Sequence, residues 1–321
     1  MLKRSDLNPI LTRADVPAVN PLLRDVSGVF NPGAVKFDDR YLLLLRVQTR
    51  GRETVLMLAE SPDGERFVVR DELMKINGLE SVNERIFHLY DPRITPIGDE
   101  YFIVLAADTD SGCRLATVRT ADFERFELVG FDGSGDTRNG VLFPQIIDGR
   151  YLRLERPNRP GKAGDPASGG AISLSESHDL LRWRNLGTVF SGRPRYWDEL
   201  IGAGPPPVKT RSGWLLVYHG VATHFQSQNI YQAGAALLDL EDPREVLART
   251  RNNILEPREL CELTGQVPNV VFPSGMIVEQ YDDEGFALPE GLVRLYYGAA
   301  DTSVCLATTT IHQLITACEV A

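Results

Sequence analysis

Five times along the chain, a small or polar residue followed closely by proline introduces an apolar segment that ends in a polar or charged residue. The copies run from Asn31-Pro32 to Leu45-Arg46, from Asp91-Pro92 to Ala107-Asp108, from Asn139 with Phe143-Pro144 to Glu155-Arg156, from Gly204-Pro205 to Tyr218-His219, and from Asn269 with Phe272-Pro273 to Ala300-Asp301. A repeat of roughly 50 to 65 residues predicts a β-propeller in which each blade lends one strand to a shared central channel. A chain of 321 residues with 43% hydrophobic content could make two ordinary domains or one large all-β domain, and the repeat favours one. The expected fold is therefore all-β: a single five-bladed propeller domain over residues 1–321, with a short C-terminal helix at 311–320. Its channel brings Arg46, Asp91, Arg138, Arg156, His219 and Asp301 toward one place.

A second element repeats with the first. Ser61-x-Asp63-x-x-x-Phe67, Thr120-x-Asp122-x-x-x-Phe126 and Ser177-x-Asp179-x-x-x-Trp183 each follow a short β-like run, at 54–58, 114–118 and 171–174. Hydroxyl and carboxylate side chains at this spacing bond nearby backbone while the aromatic pins the turn, so the element reads as the outer-strand turn of a blade. Leu237-Leu238-Asp239-Leu240-Glu241-Asp242-Pro243 is a degenerate fourth copy, and the fifth blade has none. The terminal strand expected at 304–310 should pair with one from the N-terminus and leave no open edge. The Pro- and Gly-rich loop at 157–170 is longer than a hairpin needs, as loops that shape substrate sites often are.

With 34 basic and 44 acidic residues the net charge is −10, which argues against a nucleic-acid groove or an anionic membrane surface, so any anion site must be local. Cys113, Cys261, Cys305 and Cys318 form no CxxC pair and read as reduced core thiols of a cytoplasmic protein. No secretion signal or membrane span is visible. Metal, nucleotide and acyl-transfer sites find no support: His219 and His224 lack a carboxylate ligand pattern, the glycines at 202–204 lack Lys-Ser/Thr, and Gly-x-Ser-x-Gly does not occur.

Asp91 opens a predicted inner strand where a bulky apolar residue would be expected if the position only filled core. It either caps the turn at Pro92 or pairs with Arg93, or it is a general acid whose pKa is raised by partial burial. Arg46 and His219 close otherwise apolar runs, and Arg138 and Arg156 border β-like segments. A buried cation needs an anion: an internal carboxylate such as Asp91, Asp108, Glu155 or Asp301, or, where several converge, an anionic ligand gripped by guanidinium forks. Tyr90, Trp197, Tyr218, Tyr231, Tyr296 and Tyr297 either fill the core or offer flat surfaces for sugars.

Taken together, Phe30-Asn31-Pro32-Gly33-Ala34, Leu44-Leu45-Arg46-Val47, Tyr90-Asp91-Pro92-Arg93, Arg138-Asn139-Gly140-Val141-Leu142-Phe143-Pro144, Arg156-Pro157, Ile201-Gly202-Ala203-Gly204, Tyr218-His219-Gly220, Asn269-Val270-Val271-Phe272-Pro273 and Tyr296-Tyr297-Gly298-Ala299-Ala300-Asp301 resemble glycoside hydrolase family 130 over nearly the whole chain. The resemblance implies a five-bladed propeller that acts on terminal β-mannosyl residues with inversion, using Asp91 as its one catalytic acid through a relay along the mannose 3-hydroxyl. It implies phosphate held by Arg138, Arg156 and His219, and sugar held by Asn31, Arg46, Tyr90, Asn139, Tyr231 and Asp301. Phosphate would be a co-substrate, with no cofactor or metal, and α-mannose 1-phosphate the product. An anionic nucleophile needs positioning rather than a base, which suits a cationic cluster.

One position departs from that pattern. Where the phosphorylases carry a lysine before Ile-Gly-x-Gly, this chain has Leu200, preceded by Asp198-Glu199. Lys209 is a substitute cation, and Glu199 a candidate base for a β-mannosidase that uses water. Three readings follow: a β-mannoside phosphorylase, which is favoured; a hydrolase; and a non-catalytic sugar-binding propeller. Homo-oligomerisation is left open.

Overall fold

The computed structural model describes residues 2–132, 135–158, 169–223 and 229–319. Five sheets, antiparallel except where Ile76–Asn77 pairs parallel with Phe126–Phe131, follow one another around a channel as a five-bladed β-propeller. Blade one is Val26–Phe37, Arg40–Thr49, Thr54–Ser61 and Val68–Leu73; blade two is Ile86–Ile97, Glu100–Thr109, Gly112–Thr120 and Phe126–Phe131. Blade three is Thr137–Leu142, Tyr151–Pro157, Ala171–Ser177 and Arg184–Ser191; blade four is Leu200–Ala203 with Val208–Thr210, then Gly213–Ala222, Ile230–Leu238 and Val246–Arg249. Blade five is Val271–Val278, Leu292–Ala299 and Ser303–Thr310, completed by Lys3–Arg4 from the other end of the chain. The helix Ile311–Glu319 follows that last strand. Most of the 157–170 loop, and His224, lie outside the described residues.

The apolar core lies between blades, which explains runs too long for a half-exposed strand. Leu42, Leu43, Leu44 and Leu45 are all fully buried. Side chains alternate across a strand, so Leu42 and Leu44 pack with Ile103 and Leu105 of blade two while Leu43 and Leu45 face Tyr296 and Ile277 of blade five. Blade four repeats this: Trp214, Leu216 and Tyr218 pack toward blade three, Leu215 and Val217 toward blade five. Each such leucine contributes about 1.5–3 kcal/mol of burial. Arg46 and His219 interrupt these runs within their strands, and apolar burial resumes at Val47 and Val221.

The second repeat closes the outer hairpins. Ser61 Oγ accepts from the amide of Gly64 at 2.9 Å, and Asp63 Oδ1 from the amides of Glu65 and Arg66 at 2.9 and 2.8 Å. Thr120 with Asp122, and Ser177 with Asp179, make the same bonds. In blade four Asp239 accepts from Glu241 and Asp242 without the hydroxyl partner. These backbone bonds hold the Asp63 carboxyl well below the usual range.

Candidate active site

A cavity of about 310 Å³ at one end of the channel is assembled from bulges within the first strands and from the strands and loops beside them. In blades one, two and three the pairing of first with second strand skips after Phe30, Tyr90 and Arg138, and the bulged residue that follows is Asn31, Asp91 or Asn139. All three have left-handed backbone, with φ of 47°, 53° and 52°. Asn and Asp tolerate that region because their short polar side chains bond locally. Each bulge therefore places a carboxamide or carboxylate in the cavity wall, and of these three only blade two's is a carboxylate. On the second strands Arg46 pairs with Phe30, Arg156 with Arg138 and His219 with Gly202.

Asp91 is buried, and its Oδ1 accepts from Asn31 Nδ2 and from Arg46 Nη1, each at 3.0 Å. Burial pushes its carboxyl up, but Arg46, Arg93 and the two hydrogen bonds outweigh burial and hold it below the usual carboxylate range. The expectation of a raised pKa at Asp91 is thus reversed. The raised carboxyl is Asp301, pushed to about 6 by burial, with Arg46 opposing and the Asp91 charge adding to the shift. Arg93 does not pair with the Asp91 carboxylate through a hydrogen bond; its Nη1 donates to the Asp91 main-chain carbonyl at 2.7 Å.

The cations are unequally matched. Arg46 pairs with Asp91, and Arg138 with Asp108 at 3.2 Å, while the Tyr90 ring lies 4.6 and 5.8 Å from the two guanidinium groups and its hydroxyl donates to Asp108 at 2.7 Å. Arg156 has no carboxylate partner among the described residues, only Asn158 Oδ1 at 3.1 Å. Burial, helped by Arg138, pulls its pKa down to about 10. His219 is fully buried behind the cavity wall rather than lining it, lies 4.6 Å from the Phe272 ring and is stacked on Tyr231, and neither ring nitrogen has a hydrogen-bond partner among the described residues. Burial, then Arg156 and Arg93, hold it well below its usual pKa and therefore neutral. Of twelve buried side-chain polar atoms without a partner among the described residues, seven belong to Asn31, Arg46, Arg138, Asn139, Arg156 and His219. Buried polar atoms are normally paired, so this concentration marks a place where a polar ligand belongs.

The family model described as β-1,4-mannooligosaccharide phosphorylase matches residues 2–320. The chain belongs to glycoside hydrolase family 130. This family-130 chain is 30% identical to the β-1,4-mannooligosaccharide phosphorylase of Ruminococcus albus, over 97% of its own length and 89% of that protein. It is 29% identical to the 4-O-β-D-mannosyl-D-glucose phosphorylase of Bacteroides fragilis, over 97% and 83% of the two chains. The solved complex of β-1,2-mannobiose phosphorylase from Listeria innocua with β-1,2-mannobiose superposes with a TM-score of 0.81 at 28% identity, covering 100% of this chain and 99% of that one.

Not every expected site residue of the family-130 chain reaches the cavity. Lys209 lies at the far end of the channel, against a second cavity walled by Lys36, Pro96, Pro144 and Pro207, with its amine 4.5 Å from the Phe286 ring. Glu199 does not line the Asp91 cavity, and its carboxylate accepts from the Thr223 hydroxyl. Its neighbour Asp198 is fully buried between Arg193, Arg249 and the Tyr218 hydroxyl. Of the aromatic candidates only Tyr90 and Tyr231 line the cavity; Tyr218, Tyr296 and Tyr297 are core, and Trp197 stacks on Tyr218. Ala106, Asp108, Val267, Val270 and Phe272 complete the wall, and none of them has a ligand role expected from sequence. The signal for Asp108 was present, since it closes the second apolar run as Arg46 closes the first.

Among the described residues no group of three or more His, Cys, Asp and Glu is arranged to hold a metal, and no helix is long and apolar enough to cross a membrane. Cys113, Cys261 and Cys305 are free thiols, with the Cys261 and Cys305 sulfurs 3.6 Å apart.

Proposed function

We propose that the chain is an inverting phosphorylase of terminal β-linked mannosides, acting as one catalytic unit over residues 1–321, with inorganic phosphate as co-substrate and α-mannose 1-phosphate as product. The observation that carries this reading is Arg156: a buried guanidinium beside Arg138 and a neutral His219, with no carboxylate partner among the described residues. A desolvated cation of this kind is costly unless an anion arrives, and a guanidinium fork matches phosphate oxygens in pairs. The phosphorylase names of the relatives support the same reaction.

In this reading Asp91 is the acid. A general acid must hold a proton, whereas Arg46 and Arg93 favour the carboxylate. Phosphate brought against Arg138 and Arg156 adds negative charge to the cavity and raises the proton affinity of Asp91, so the acid is armed when the nucleophile is present. Sugar hydroxyls then take the open hydrogen-bonding positions of Asn31, Arg46, Asn139 and Asp301. Phosphate attacks C1 from the face opposite the leaving oxygen, and a β-mannoside gives the α-phosphate. The free thiols Cys113, Cys261 and Cys305 suit a cytoplasmic setting.

Hydrolysis would require a carboxylate to activate water. Glu199 is held by Thr223 and does not line the cavity, which weakens that alternative. The test is mannobiose or mannosyl-glucose cleavage with and without inorganic phosphate. Phosphate-dependent release of mannose 1-phosphate is expected; free mannose produced at the same rate without phosphate would overturn the reading.

A further inference from the structure

Arg93 lies two residues after Asp91 and is 1% exposed, outside the cavity wall. In the register of the first strands it occupies the position of Gly33 in blade one and Val141 in blade three, each the first paired residue after its bulge. Neither of those blades carries a charge there. Unlike Arg46 and Arg138, which pair with carboxylates, Arg93 sends its hydrogen bonds to main-chain carbonyls: Nη1 to Asp91 at 2.7 Å, Nε to Gly204 at 3.2 Å, and a long contact from Nη2 to Ala203 at 3.5 Å. Its guanidinium lies 5.5 Å from the Phe272 ring of blade five. A buried guanidinium without a carboxylate hydrogen bond costs stability. Blade packing at this position is satisfied by glycine or valine elsewhere in the ring, so packing alone does not account for it.

We infer that Arg93 is a positioning residue for the reaction proposed above, pinning the Asp91 main chain from beneath the cavity and tying the acid on blade two to the anion-binding side on blade four. The tie is direct in sequence as well as in space. Ala203 and Gly204 immediately follow Gly202, the residue paired with His219. The left-handed backbone of Asp91, with φ at 53°, is a conformation the surroundings must hold in place, and the 2.7 Å bond to its carbonyl does so.

The same charge acts on the chemistry. The charged and titratable groups around Asp91 are Arg46 from blade one, Tyr90 and Arg93 from its own strand, Tyr231 from blade four and Asp301 from blade five. His219 faces Arg156 and Arg93. Arg46 is in the cavity, where a sugar hydroxyl can draw it off the acid. Arg93 is sealed away and keeps its charge in place throughout turnover.

The experiment compares Arg93→Gln and Arg93→Lys with Asp91→Asn, measuring kcat, both KM values, the pH profile of kcat and thermal stability. Asp91→Asn is the control for the underlying reading: if it keeps activity, the assignment of the acid fails whatever Arg93 does. With that control inactive, Arg93→Gln is expected to lower kcat about tenfold or more, leave both KM values within about threefold, and move the alkaline limb up by about one pH unit, because loss of the positive charge makes Asp91 hold its proton longer. Arg93→Lys keeps the charge but not the fork, so it should lower kcat while leaving the limb in place. Values of kcat and limb within about twofold of the parent in both variants would overturn the inference. So would a fall in kcat that tracks lost thermal stability with the limb of Arg93→Gln unmoved. If Arg93→Gln does not fold, Arg93→Lys decides, and an unchanged kcat there overturns the inference. Failure of both to fold assigns Arg93 to stability alone and also overturns it.

Discussion

Asn31 and Asp91 occupy equivalent bulges of adjacent blades, and the amide of the first donates to the carboxylate of the second at 3.0 Å. Asp91 is thus the one charged member of a set of three like positions, completed by Asn139. This kinship makes its substitution unusually clean.

Asp91→Asn should fold as the parent does, because asparagine already sits in the same left-handed bulge in blades one and three. Its kcat should fall by about three orders of magnitude or more, the loss expected for a missing general acid with no substitute. Steady-state kinetics alongside a thermal melt checks both parts; retained activity would favour a propeller that binds sugar without cleaving it.

Arg156→Met should raise the KM for phosphate by about tenfold or more with a far smaller effect on the mannoside. The melting temperature should hold or rise, since the change removes a buried cation that lacks a carboxylate partner among the described residues. Phosphate added to the parent should raise its melting temperature, and that increment should shrink in the variant.

Asp301 gives the pH dependence of stability a definite sign. Its folded pKa of about 6 lies above the reference 3.8, so the folded state binds the proton more tightly than the unfolded chain. Stability from this group is fully present below the unfolded pKa and is lost as pH rises through about 6, by roughly 3 kcal/mol in all. Asp91, shifted downward, acts in the opposite sense and at lower pH, so the two windows separate. Denaturant unfolding across this range should show a slope in the parent that Asp301→Asn flattens.

Thr120→Ala should lower stability by about 1–2 kcal/mol, because the buried hydroxyl accepts from the amides of Phe123 at 2.9 Å and Asp122 at 3.3 Å. Activity at temperatures where the variant is folded should be unaltered. A matching loss of kcat would mean that the outer turns communicate with the channel.

Lys209→Ala and Glu199→Gln should leave the phosphate KM and the product unchanged within about twofold, as neither side chain lines the Asp91 cavity. A large rise in the phosphate KM of the Lys209 variant would restore it as the substitute cation.

The sequence made the ring and the convergence legible because both follow from local signals. Proline and Asn/Asp mark the bulges, and the polar interruptions at Arg46 and His219 mark where the second strands pass them, wherever the chain goes. Lys209 was misplaced for a geometric reason: the first strand of blade four runs along the channel, so the few residues from Gly204 to Lys209 carry the chain away from the site while His219, further on in sequence, returns to it. The proton affinity of Asp91 was misread for an energetic one. Burial is visible in an apolar context, but the two guanidinium groups that outweigh it come from another blade and from a side chain folded beneath its own strand. Competing terms of similar size are decided by coordinates.

The two-residue strand Lys3–Arg4 pairs with Ser303–Thr310, and Arg4 reaches Glu262, which also takes the Tyr297 hydroxyl. Asp301 stands just before that clasp, whereas Asn31, Arg46 and Asp91 are translated long before it. The cavity wall takes Asn31 from blade one and Asp301 from blade five, so it is whole only once the ring has closed on Lys3–Arg4.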